Sequence, residues 1–264
     1  MDFKNKVVWI TGASSGIGEY LAYAFAEKGA RLILSARNAQ ELERVKNQCA
    51  DPGSVMTLPL DVADFNRIPG AADEAVARFG RLDLLINNAG ISQRDSAMNT
   101  GLDVVRKIMD VNFTGTVAVT HEVLPHMLAQ KSGQIVVMSS VMGKFGTPWR
   151  SSYSASKHAL QGYFDSLRAE LVEAGIPVTI ICPGFVRTNV TINALRGDGT
   201  PNNVMADTTA NGIPPDVFAQ KVLRTIAAKK EEAYIGGFRE VLGVYLKRWL
   251  PGGFSQMIAR GKVK

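Results

Sequence analysis

Cysteine is scarce in this sequence: Cys49 and Cys182 are the only two in 264 residues. They share no metal-ligand or dithiol spacing, which argues against a zinc cluster, a redox pair or a disulfide scaffold. Cys182 sits in an apolar run and reads as a buried structural thiol. Long apolar stretches are missing too. No run of about 18 apolar residues occurs, so no membrane span is expected. The opening MDFKNKVVWI has neither an apolar leader core nor a cleavage site, so no signal peptide is expected and the expected location is cytoplasmic. Surplus charge is nearly absent from the body of the chain. Of the net +6, residues 229–264 supply eight Lys/Arg against three Glu, while the remainder balances 22 basic with 21 acidic residues. That balance excludes nucleic acid as a partner of the main body.

What is present is an alternation. Short apolar, β-branched runs fall at residues 6–10, 31–35, 55–60, 82–87, 134–139, 178–182 and 233–236, separated by helical patterns. This predicts βαβ crossovers: an α/β, doubly wound, seven-stranded parallel sheet with helices on both faces, in one domain spanning residues 1–264. Residues 188–215 break the rhythm. They are rich in Asn, Thr, Gly and Asp and too long for an ordinary connection, so they are expected to form a lid. Residues 237–264 form a basic, apolar extension. Its first half, residues 238–250, reads foremost as a helix that completes the core, with peripheral membrane contact as a further option.

The first strand runs into Thr11-Gly12-Ala13-Ser14-Ser15-Gly16-Ile17-Gly18 and then a helical pattern. Strand, glycine turn and helix together point to a dinucleotide: glycines admit the pyrophosphate, and the helix N-terminus attracts it. Near the end of the second strand, Ser35-Ala36-Arg37-Asn38 offers no acid for a ribose 2′-hydroxyl. Arg37 can instead bind a 2′-phosphate, so NADP(H) is the expected cofactor. No second basic residue lies near Ser15, so selectivity rests mainly on Arg37.

Tyr153 and Lys157 stand one turn apart on a helical stripe continued by Leu160, Phe164, Leu167 and Leu171. A free phenol, at a pKa of about 10, is a poor base at neutral pH, and a nearby ammonium lowers that value. Such a pair is common by chance and gains meaning from its neighbours. Ser139-Ser140 ends the run QIVVM, Asn87-Asn88-Ala89-Gly90 ends LDLLI, Asn112 lies inside another long helix, and Pro183-Gly184 ends VTIIC with Thr188 shortly after.

Together these motifs resemble the short-chain dehydrogenase/reductase family, in register from about residue 5 to residue 240. Within it the chain is similar to the branch holding 11β-hydroxysteroid dehydrogenase type 1 and the dehydrogenase/reductase members 7 and 7B. The resemblance implies a Rossmann fold and an NADP(H)-dependent interconversion of a carbonyl and an alcohol, with a non-catalytic NADP-binding sensor as the competing reading. It implies a catalytic tetrad. Tyr153 acts as general acid/base, Ser140 holds the substrate oxygen, and Lys157 holds ribose and lowers the Tyr153 pKa. Asn112 anchors a relay water. For the cofactor it implies Gly12, Ser14, Ser15, Gly16, Ile17, Gly18, Arg37, Asn38, Asp61, Val62, Asn88, Ala89, Gly90, Val111, Tyr153, Lys157, Pro183, Gly184, Val186 and Thr188. Met142, Phe145, Trp149 and Phe185, with Ser140, are expected to line a pocket for a small apolar carbonyl or alcohol. A second stripe of small residues on the Tyr153 helix, Ala155, Ala159, Gly162, Ser166 and Ala169, predicts a homodimer or homotetramer. No metal site is expected.

Overall fold

Every side chain of the first strand is buried, so its alternate residues must face apolar layers on opposite sides. This is what the structure shows. A computed structural model describes residues 2–260. In chain order the elements begin β1 (Val7–Thr11), α1 (Gly16–Glu27), β2 (Arg31–Ser35), α2 (Ala39–Gln48), β3 (Val55–Thr57), α3 (Ile68–Phe79) and β4 (Leu84–Asn87). They continue α4 (Leu102–Met109), α5 (Gly115–Gln130), β5 (Gln134–Met138), α6 (Ser151–Glu170) and β6 (Val178–Pro183). Last come α7 (Asp207–Ala210), α8 (Pro215–Ala227), β7 (Glu232–Ile235), α9 (Phe238–Trp249) and α10 (Pro251–Arg260). The seven strands form one parallel sheet in the order β3-β2-β1-β4-β5-β6-β7.

Val8 and Ile10 join Leu21, Phe25, Phe218 and Val222 on one face, against α1 and α8. Val7 and Trp9 join Val119, Val123, Leu160 and Phe164 on the other, against α5 and α6. Phe164 is fully buried there, and truncating such a side chain costs about 3–5 kcal/mol. Chain order reverses at β1, which pairs β2 on one side and β4 on the other. The crevice beyond the carboxyl ends of β1 and β4 is therefore where this architecture accepts a ligand.

Three segments differ from the sequence-based expectations. β3 stops at Thr57, three residues short of the predicted strand. Asn112 lies in a π-helical turn, Asp110–Thr114, between α4 and α5. Such turns are rare and often found at functional sites. Residues 188–215 are not loosely packed, despite their polar composition. Leu195 exchanges backbone hydrogen bonds with Ser92 and Arg94 (both 2.8 Å), and Gly197 accepts from the Gly101 amide (2.9 Å). Asn202 donates to the Thr191 carbonyl at 2.9 Å.

The extension also does less core packing than its apolar content implies. α9 and α10 dock through Val244 and Phe254 onto Val141 and Phe145. Phe238, Trp249 and Leu250 remain 81%, 76% and 61% exposed. Among the described residues no helix is long and apolar enough to cross a membrane.

Candidate active site

A cleft of about 710 Å³ opens beyond β1 and β4. The glycine turn forms one wall, and each glycine is there for a separate steric reason. Gly12 and Gly16 hold φ of +66° and +59°, where a side chain is strained. A Cβ on Gly12 would also lie 2.7 Å from Ala89 Cα. A Cβ on Gly18 would lie 2.3 Å from the Gly12 carbonyl oxygen, so this glycine permits the helix to close on the strand. Asn88 locks the turn from behind, donating from Nδ2 to the carbonyls of Thr11 (3.0 Å) and Gly12 (3.1 Å). Thr11 Oγ1 in turn accepts from the amides of Asn88 and Ala89, both at 3.1 Å.

Most of the residues predicted to hold the cofactor line this cleft: Gly12, Ser14, Ser15, Gly16, Ile17, Arg37, Asn38, Asp61, Val62, Asn88, Ala89, Gly90, Val111 and Thr188. Several are already committed. Asn38 caps α2 by accepting from the Glu41 amide (3.1 Å), and Asp61 accepts from the Ala63 amide (3.0 Å). Arg37 is exposed at the end of β2, and among the described residues no hydrogen bond or ion pair occupies its guanidinium. Gly18, Lys157 and Pro183, also expected at the cofactor, are buried and line neither the cleft nor the chamber beside it; Pro183 is the last residue of β6.

The cleft continues into a chamber of about 60 Å³, with Ser92 and Val190 on the walls of both. Ser140, Met142, Tyr153, Gly184, Phe185 and Val186 line the chamber. Ser140 arrives at the end of β5 and starts a short 3-10 turn, Val141–Gly143, its hydroxyl accepting from the Met142 amide at 3.1 Å. Tyr153 arrives in the first turn of α6. Two predicted pocket residues are not there. Phe145 is buried under the extension, its ring 5.1 Å from that of Phe254. Trp149 is 51% exposed, carried outward on a φ of +69°. The loop after β5 turns away from the chamber once Met142 is placed.

Burial acts on Tyr153 and Lys157 in opposite directions. Burial pushes the Tyr153 phenol up, while Ser140 and the charge of Arg150 pull it back. Burial pulls Lys157 down to about 8. Its ammonium donates to the Met138 carbonyl at 2.8 Å and lies 5.8 Å from the Tyr153 ring centroid. Two positive charges therefore stand near the phenol, the Arg150 guanidinium and the Lys157 ammonium. Lys157 Nζ lies behind Gly90, in ordinary contact range of a Cβ built there (3.5 Å). Asn112 donates from Nδ2 to the Ile91 carbonyl and to Ser156 Oγ (both 2.9 Å) and accepts from the Ile91 amide at 2.7 Å. Both donors of its amide are therefore spent on positioning the Gly90–Ile91 wall and α6.

Sequence reasoning misses Arg150, Ser92, Val190 and Thr209 in the chamber, and Lys107, Asn189 and Asn193 in the cleft. None belongs to a spaced motif. It also misses Glu240. From α9, 55 residues downstream, its Oε2 accepts from the Phe185 amide at 3.0 Å and from the Gly237 amide at 2.9 Å. Cys182 is a buried thiol, its pKa pushed up to about 12 chiefly by burial.

Comparison with known proteins agrees with this arrangement. Residues 6–198 match the family profile described as short chain dehydrogenase. A Drosophila melanogaster dehydrogenase/reductase SDR family protein 7-like is 44% identical over 98% of this chain and 81% of its own length. Mouse dehydrogenase/reductase SDR family member 7B is 41% identical over 97% and 81%, and human member 7 is 41% identical over 95% and 76%. Among solved structures, a short chain dehydrogenase/reductase from Burkholderia phymatum in complex with NAD superposes with a TM-score of 0.84. It is 25% identical, with 94% of each chain covered.

Proposed function

The chain belongs to the short-chain dehydrogenase/reductase family, and from that premise we propose that it is an NADP(H)-dependent oxidoreductase interconverting a carbonyl and an alcohol. One observation carries the reading: Ser140 and Tyr153 share a small chamber that meets the glycine-walled cleft at Ser92 and Val190. The cleft fits a dinucleotide in size and lining: about 710 Å³, walled by the Gly12 and Ser14–Ile17 turn with Arg37, Asp61 and Asn88 around it. When bound, the cofactor supplies or accepts hydride. The protein's own residues do the rest. Ser140 donates a hydrogen bond to the substrate oxygen. Tyr153 gives its phenolic proton to that oxygen in reduction and takes it back in oxidation. Lys157, behind Gly90, offers its charge to the ribose side of the cleft. Arg37, uncommitted and with no acid beside it in the stretch from Ser35 to Asn38, supports a preference for the 2′-phosphate. Met142, Phe185 and Val186 give the substrate an apolar seat.

Residues 188–215 bring Val190 to both cavities, which supports their reading as a lid. On the stripe, Ala155, Gly162, Ser166 and Ala169 are exposed and Ala159 is half-buried, while Leu160, Phe164 and Leu167 point inward, which supports pairing of α6 with a second copy. The exposed apolar and basic face of α9 and α10 is the surface that supports peripheral membrane contact.

The test is NADPH oxidation, followed by absorbance, against a panel of aryl, lipid and steroid carbonyls. Turnover by the wild type and none by Tyr153→Phe is the expected result. Tight NADPH binding with no turnover across the panel would favour a sensor.

A further inference from the structure

Arg150 immediately precedes α6 and is only 8% exposed. A buried guanidinium ordinarily has a carboxylate, because an unpaired charge away from bulk water is costly. This one has none. Among the described residues its only side-chain partner is the thioether of Met142, Nη1 to Sδ at 3.9 Å, which is a weak acceptor. Nε and Nη2 have no partner, yet neither is sealed inside the protein. Arg150 lines the chamber together with Ser140 and Tyr153. Burial holds its pKa below the ordinary arginine value, and Arg94, with no ion pair among the described residues, adds like charge nearby. The first-turn amides of α6 lack helical acceptors, and the positive end of that helix dipole reinforces the same field.

A guanidinium fork with free donors, on a residue 8% exposed, matches an oxyanion in shape and charge. We propose that Arg150 is the anion-binding residue of the substrate chamber, so that the substrate carries a carboxylate or phosphate group on an otherwise apolar body. The inference rests on the carbonyl–alcohol reading for its substrate, but the chamber's preference for an anion can be measured without turnover. Phe185 and Val186 would seat the apolar part. The anion would stand near the reacting carbonyl, because Arg150 and Tyr153 line the same small chamber.

Calorimetric titration of the full chain, with and without NADPH, provides the test. The probes are benzoate, phenyl phosphate and the neutral benzamide. Wild type should bind one of the two anions at least tenfold more tightly than benzamide, and the tighter anion identifies the group. Arg150→Met should weaken that anion at least tenfold and leave benzamide within about twofold. Arg150→Lys should retain part of the preference, because it keeps the charge and loses the fork. If Arg150→Met does not fold, the wild-type ratio and the Arg150→Lys variant still decide. Equal binding of anion and amide by wild type, or unchanged anion binding in Arg150→Met, overturns the proposal. The NADPH titration reads the cofactor assignment separately, since Arg150 does not line the cleft.

Discussion

The Lys157 ammonium donates to the Met138 carbonyl at 2.8 Å, and no carboxylate among the described residues shares its charge. With burial holding its pKa to about 8, Lys157 carries a proton below that value and loses it above. The protonated form is the one that can bind ribose hydroxyls as a charged donor. kcat/KM for NADPH in the reductive direction should therefore be flat up to about pH 8 and then fall by about tenfold per pH unit. Lys157→Met should lower the plateau and remove that limb. A profile level to pH 10 in the wild type would show that the Lys157 charge is not what holds the cofactor.

Cofactor choice should turn on Arg37. Its guanidinium has no competing acid, so NADPH should bind more tightly than NADH. Arg37→Asp should invert the order by repelling a 2′-phosphate and accepting from a 2′-hydroxyl. Fluorescence titration of the two reduced cofactors checks this. Equal affinities in the wild type would leave Arg37 as a solvated surface residue.

Gly18 tests the turn by steric means alone. A Cβ there would meet the Gly12 carbonyl oxygen at 2.3 Å and Asn88 Nδ2 at 2.6 Å, and both belong to the locked turn. Gly18→Ala should cost about 1–3 kcal/mol of stability by overpacking and weaken NADPH binding with it. Gly146→Ala provides the control, since Gly146 is exposed and a Cβ there meets nothing within 4 Å. Denaturant unfolding of both variants should separate them clearly.

Assembly is read from α6. Ala169 is exposed on the stripe of small residues, so a long charged side chain there should block a close helix partner. Mass measurement in solution should find a wild-type dimer or tetramer at micromolar concentration. Ala169→Arg should shift the population toward a smaller species. A monomeric wild type would remove the argument.

For residues 188–215, hydrogen exchange offers the check. Amides near Val190 and Asn193 should gain protection when NADPH and substrate bind, while those bonded to residues 92–101 are protected throughout. Identical exchange in both states would count against a lid.

Local spacing makes much of this legible in the sequence. The glycine turn, the Tyr153–Lys157 pair and the alternation of strands and helices are short-range patterns, and each keeps its place in the fold. What stays hidden depends on distance along the chain. Arg150 reads as one more arginine until the fold buries it beside Tyr153. Phe145 and Trp149 follow Ser140 closely in sequence, yet the direction of a loop is decided by what it packs on. For Phe145 that is Phe254, more than a hundred residues later. Asn88 stands in the cleft wall as its motif implies, but its side chain braces the glycine turn, a contact that spans some 76 residues. Composition misleads at residues 188–215, where Asn and Thr side chains build the packing that apolar groups supply elsewhere.

The clasp between Glu240 and the Phe185 amide ties the extension to the substrate chamber, and that bond has a thermodynamic corollary. Anything that displaces α9 when it engages the exposed faces of Phe238 or Trp249 must also disturb the Phe185 backbone. Substrate affinity would then change by some factor. By linkage, substrate would alter the affinity of the extension for its own partner by the same factor. Occupancy of the chamber and attachment of the tail are in that event one equilibrium read from two ends.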